Sequence, residues 1–147
     1  MATIDRTCTI AAPIEEIWDV LADFGAISSW ADNVEHSCIL VTVPQPVGTA
    51  RRLQVGRDTL IEQIIEFDPP HTLAYRIEGL PRRLGRLTNR WTLQPAGTST
   101  TVTLTSTVEI GSRVDQQLAE RVMCRMLARQ SEAMLAGLAQ RMENARV

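Results

Sequence analysis

From Val34 to Ile110, apolar and polar positions alternate with a period close to two, and turn residues cut the run into six segments. The breaks fall at Pro44 to Gly48, at Gly56-Arg57-Asp58, at Asp68-Pro69-Pro70, between Gly79 and Gly85, and at Pro95-Ala96-Gly97. In the last segment Val102, Leu104, Ser106, Val108 and Ile110 alternate with Thr101, Thr103, Thr105, Thr107 and Glu109. One wet and one buried face require that pattern, so it predicts antiparallel strands. A further strand, rich in threonine and isoleucine, spans residues 3 to 11 and stops at Ala12-Pro13.

The period then changes. Ile14, Ile17, Trp18 and Leu21 recur at helical spacing, with Glu15 and Glu16 in the first turn where the helix dipole favours carboxylates. Gly25 and Ser28-Ser29 break this helix and leave room for a short second one through Trp30. At the other end, Ser112 with Asp115 three residues later resembles a capping box and opens one long helix over residues 113 to 143. Its predicted apolar stripe is Leu118, Val122, Met126, Leu127, Met134, Leu138 and Met142, with Glu120, Arg121, Arg125, Arg129, Glu132 and Arg141 mostly opposite.

Strand, two short helices, six strands, long helix: this order predicts an α+β domain over residues 1–147. A curved antiparallel sheet of about seven strands would wrap the C-terminal helix and leave a cavity where the two diverge.

The stretch from Ile10 to Phe24 (IAAPIEEIWDVLADF), Trp30, Gly48-Thr49-Ala50-Arg51, and Glu62 to Pro70 (EQIIEFDPP) followed by Leu73-Ala74-Tyr75 resemble the START-like or SRPBCC superfamily in its polyketide cyclase/dehydrase-like branch. The resemblance implies the helix-grip fold of the birch-pollen allergen and a ligand-binding cavity. Proteins of this kind include aromatase/cyclases acting on polyketides, lipid carriers and hormone receptors.

With the more apolar face of each strand turned inward, the inner surface comprises Arg51, Leu53 and Val55, then Ile61, Gln63, Ile65 and Phe67, then Leu73, Tyr75 and Ile77. Leu87, Asn89, Trp91 and Leu93 follow, and then the apolar set from Val102 to Ile110. Five polar residues, Arg51, Gln63, Tyr75, Asn89 and Ser106, stand on that face. A buried polar group without a partner costs about 1 to 3 kcal/mol, so the set predicts mutual bonding, water or a ligand. Asn89 and Ser106 lie on consecutive strands and can satisfy each other. Trp30 and Trp91 offer an aromatic wall and Met126 a polarizable surface, which completes the expected ligand site. Between Leu60 and Phe67 a rival alternation, Leu60, Glu62, Ile64 and Glu66, leaves the inward face open, as do the competing patterns of the strand near His36.

Composition narrows function by exclusion. A net charge of −2 removes the positive field that nucleic-acid binders use, although all 15 cationic residues are arginines. Cys8, Cys38 and Cys124 show no chelating spacing and predict small buried thiols in a reducing compartment, with no metal site. No cofactor motif is present, no apolar stretch is long enough to span a bilayer, and Met1 leads straight into a strand, so the expected location is cytoplasmic. A monomer or homodimer is expected. Arg82, Arg83 and Arg86 cluster in one connection and would attract an anionic head group if they border the cavity mouth.

Three functions fit. The first is a binding or carrier module for a lipid, polyketide or isoprenoid. The second is a polyketide cyclase or dehydratase in which Arg51, Tyr75 or His36 polarises a carbonyl or moves a proton, no catalytic set being evident. The third is a protein-interaction or toxin–antitoxin-type module with a vestigial cavity.

Overall fold

The computed structural model describes residues 1–79, 85–111 and 113–145. Strand β1 (Ala2–Ile10) leads into helix α1 (Ile14–Ala22) and a short 3-10 helix (Phe24–Ser29). Strands β2 (His36–Val41), β3 (Ala50–Val55), β4 (Asp58–Asp68), β5 (Thr72–Glu78), β6 (Arg86–Ala96) and β7 (Ser99–Glu109) follow, and helix α2 (Val114–Asn144) closes the fold. All seven strands form one antiparallel sheet in the order β1-β7-β6-β5-β4-β3-β2. This is the helix-grip arrangement, with α2 packed on β1 and β7.

Helix α1 buries the four residues its spacing marks, Ile14, Ile17, Trp18 and Leu21. Helix α2 departs from its predicted stripe. Met134, Leu138 and Met142 are buried, whereas Leu118, Val122 and Met126 are 61%, 53% and 67% exposed. The buried line of the first half instead runs through Glu120, Cys124, Ala128 and Ser131, small or polar residues that let the helix lie close to the sheet. Glu120, expected on the wet side, accepts hydrogen bonds from the backbone N–H groups of Ile110 and Gly111 and pairs with the Met1 amino group at 2.7 Å, fastening the turn into α2. At the helix start Gln116 Oε1 accepts from the Arg113 N–H at 3.2 Å, while Ser112 of the expected capping box lies outside the described residues. At Gly137 any side chain would collide with the Trp30 carbonyl, so the helix meets the segment after the 3-10 helix backbone to backbone.

Strand β4 resolves the two rival patterns by using both. A bulge between Ile64 and Glu66 shifts the register, so Glu62 and Ile64 face inward before it and Phe67 turns into the core after it. Phe67 packs edge-on against Trp18, with ring centroids 5.2 Å apart. Gln63 and Ile65, expected inward, therefore stand on the other face, and Ile65 is 42% exposed. Strand β2 is an edge strand with a bulge of its own, and it leaves His36, Cys38, Ile39, Leu40 and Val41 exposed. Cys38 is thus not buried as expected; Cys8 is half-buried, Cys124 is buried, and all three are free thiols.

Candidate functional site

Because α2 packs on the β1–β7 side, its first half stands away from β3 to β6 and encloses a cavity of about 210 Å³. Leu53 and Val55 of β3, Leu60 of β4, Ile77 of β5 and Leu87 of β6 form its floor. Met123, Met126, Leu127 and Met134 of α2 form its roof, and Ile27 and Val34 close the side beneath the 3-10 helix. The polar lining consists of Asn33, Glu62, Asn89 and Gln130. That mixture of extensive apolar wall and few convergent polar groups suits a small molecule with one polar end.

Arg51 reaches Glu62 Oε1 through Nη2 at 2.6 Å and Nε at 2.8 Å, and its Nη1 donates to the Phe24 carbonyl at 2.9 Å. The guanidinium lies 3.7 Å from the Phe24 ring centroid and 4.7 Å from that of Tyr75, so aromatic faces and a carboxylate together neutralise a cation that is only 2% exposed. Burial pushes the Glu62 carboxyl above the ordinary carboxylate range, and the charge and hydrogen bonds of Arg51 oppose that rise. Burial and the Glu62 charge likewise push the Tyr75 phenol up, against the influence of Arg51 and of hydrogen bonds from Trp91 and Asn89.

Trp91 Nε1 donates to the Tyr75 hydroxyl at 3.2 Å, and Ser106 Oγ donates to Asn89 Oδ1 at 2.6 Å. Asn89 and Ser106 are cross-strand partners. Two buried polar atoms among the described residues have no partner, Trp30 Nε1 and Asn33 Oδ1. The second belongs to a cavity residue whose Nδ2 donates to Gln130 Oε1 at 2.8 Å. Both contacts of Arg51 with Glu62 fall on Oε1.

Of the eight residues proposed from sequence, Asn89 and Met126 line this cavity. Arg51, Tyr75, Trp91 and Ser106 are buried behind it and bond to one another's network or to backbone, not to open space. Trp30 is buried and packs edge-on against Trp91 at 5.9 Å. Gln63 accepts from Arg76 at 2.8 Å and donates to the Gly48 carbonyl on the opposite face. His36 is exposed on the edge strand and cannot serve the cavity. Arg82 and Arg83 lie outside the described residues, and Arg86 is exposed at the start of β6.

Sequence reasoning missed Glu62, Asn33 and Gln130. A signal for Glu62 was present: the two-residue connection Gly56-Arg57 pairs Val55 with Asp58, and counting back along that hairpin sets Arg51 opposite Glu62. Asn33 and Gln130 carry no such mark, because a loop and the outer part of a helix show no period that points inward.

The sequence matches, over residues 1–143, the family described as "Polyketide cyclase / dehydrase and lipid transport". The chain belongs to this family. Comparison with curated proteins finds no match. Among solved structures, the Zhui aromatase/cyclase from Streptomyces sp. R1128 superposes with a TM-score of 0.82 at 22% identity, covering 99% of this chain and 96% of that one. A START superfamily protein from Mycobacterium smegmatis gives 0.76 at 19% identity, with 97% and 98% covered. Ara h 8.0201 gives 0.67 at 14% identity, with 95% and 98% covered. At these identities the likeness establishes the shared fold, and the chemistry of this family member has to be argued from its own cavity.

Proposed function

We propose that this family member binds a compact apolar molecule carrying a hydrogen-bond donor, such as a hydroxyl on a ring or short chain. The observation that carries this reading is an apolar cavity whose polar lining retains an unspent acceptor: Asn33 Oδ1 is buried and has no partner among the described residues. A donor in the cavity would satisfy a group that is otherwise buried at a cost. The volume of about 210 Å³ lies below the ~300 Å³ at the lower end of common ligand pockets, which favours a small ligand or the end of a longer one. Met123 and Met126 in the roof are flexible enough to admit related shapes.

One observation favours a second reading as a cyclase or dehydratase: Glu62 is a buried carboxyl, raised above its ordinary range, at the wall of an apolar cavity. In that reading Glu62 exchanges a proton with a bound chain, and the protein turns over a supplied polyketide many times per molecule. A carrier releases its ligand unchanged.

Calorimetric titration with naphthalene and 2-naphthol tests the binding reading. Both should bind, and the hydroxyl should improve affinity about tenfold, the equivalent of ~1.4 kcal/mol. Equal affinities would remove the polar anchor. Failure of both to bind would overturn the reading.

A further inference from the structure

Leu118, Val122 and Met126 recur every fourth residue on the outer surface of α2, each more than half exposed, and Val114 extends the row at 83% exposure. Single exposed apolar residues need no explanation, but an aligned row does. A second row, Arg121, Arg125 and Arg129, has the same spacing. At about 100° per residue the two rows are adjacent, and the apolar one lies between the arginines and the cavity-lining Met123 and Leu127. Met126 belongs to both the row and the cavity roof, so the apolar strip runs from the open helix surface to the cavity. Among the described residues no carboxylate pairs with Arg121, Arg125 or Arg129: Asp115 meets Arg113, Glu132 meets Arg6, and Glu120 holds the β7–α2 turn.

We propose that this face of α2 docks on an anionic lipid bilayer, with Leu118 and Val122 entering the acyl boundary, the three arginines meeting lipid phosphates, and the cavity opening toward the membrane. A basic row flanking an apolar row on one helix is the pattern of an interfacial helix, whose arginines reach up to head groups while the apolar side sinks. A stable protein partner would need about 800 Å² on each side, more than a strip of four side chains offers. An antiparallel two-fold pairing of two copies along the apolar row would bring like arginine rows together. A bilayer imposes no limit on area and supplies the opposite charge. Docked this way, an apolar ligand passes between cavity and lipid along Met126 without crossing water.

The test is co-sedimentation of the full chain with vesicles of phosphatidylcholine alone and with roughly a third phosphatidylglycerol, at low and high salt. The protein should bind the anionic vesicles only, and salt should weaken binding. The variant Arg121→Gln/Arg125→Gln/Arg129→Gln should lose about a hundredfold in partitioning and Leu118→Ser/Val122→Ser about tenfold. None of these residues lines the cavity, so 2-naphthol affinity in solution should stay unchanged, which separates this inference from the binding reading. Absence of binding to anionic vesicles, or variants that bind like the wild type, would overturn it. So would a wild-type dimer in analytical ultracentrifugation that Leu118→Ser/Val122→Ser turns into a monomer, because the strip would then be a self-interface.

Discussion

Replacing Arg51 with methionine will destabilise the fold by about 3 to 5 kcal/mol, because it leaves Glu62 buried without the cation that pairs with it. The loss has three physical parts: the ion pair at 2.6 Å, the hydrogen bond to the Phe24 carbonyl, and the stacking on Phe24 and Tyr75. The double variant Arg51→Met/Glu62→Leu removes both charges together and should recover most of that stability, since an apolar pair of similar size carries no desolvation cost. The sign of the pH dependence follows from the carboxyl. Burial already raises Glu62, and replacing Arg51 removes the charge and hydrogen bonds that oppose the rise, so the folded single variant holds a proton that the unfolded chain releases. Its stability should therefore be greatest below the ordinary carboxylate range and should fall as pH rises through and above it. Urea denaturation at several pH values checks this. A single variant as stable as the wild type, or one that gains stability as pH rises, would show that Arg51 and Glu62 are not a buried pair.

That pair also marks where the sequence was legible. Period-two alternation cut by turn residues found β2 to β7, composition found β1, and in β3, β5, β6 and β7 the alternation named the buried face, because one side of each of these strands meets the core. It failed in β4, where a bulge reverses the face within one strand, and in β2, where an edge position buries neither face. In α2 the helical spacing chose the largest apolar residues as the buried stripe. The helix instead sets Cys124, Ala128 and Ser131 against the sheet and keeps Leu118, Val122 and Met126 outside, a choice that depends on closeness of approach and not on hydrophobicity. The candidate site inherits both errors. Arg51, Tyr75 and Trp91 were correctly placed on the inner face, but an inner face is not a cavity wall, and those three bond within the protein. The cavity's polar residues Asn33, with an unpartnered Oδ1, and Glu62 come from a loop and from the misread half of β4.

The variant Leu127→Trp will lower affinity for 2-naphthol at least about a hundredfold, or ~2.7 kcal/mol. Leu127 lines the roof of the cavity from α2 and is only half-buried, so the larger ring has the cavity on one side and solvent on the other. In a space of about 210 Å³ an indole excludes a naphthalene-sized ligand sterically, whatever polar anchors remain. Calorimetry of the variant, with the fold confirmed by circular dichroism, gives the result. Undiminished affinity in a folded Leu127→Trp would mean that the ligand binds elsewhere.

The most direct test of binding between the sheet and α2 uses the methionines. Five are present, and the cavity touches Met123, Met126 and Met134 but neither Met1 nor Met142, which lies by Ile10 and Ala139 toward the far end of the helix. With methyl-labelled methionine, addition of 2-naphthol should shift the resonances of Met123, Met126 and Met134 and give intermolecular NOEs from the ligand ring to them, most tellingly to the buried Met134. Met1 and Met142 should stay unmoved. Ligand NOEs to Met142 with none to Met134 would contradict the account.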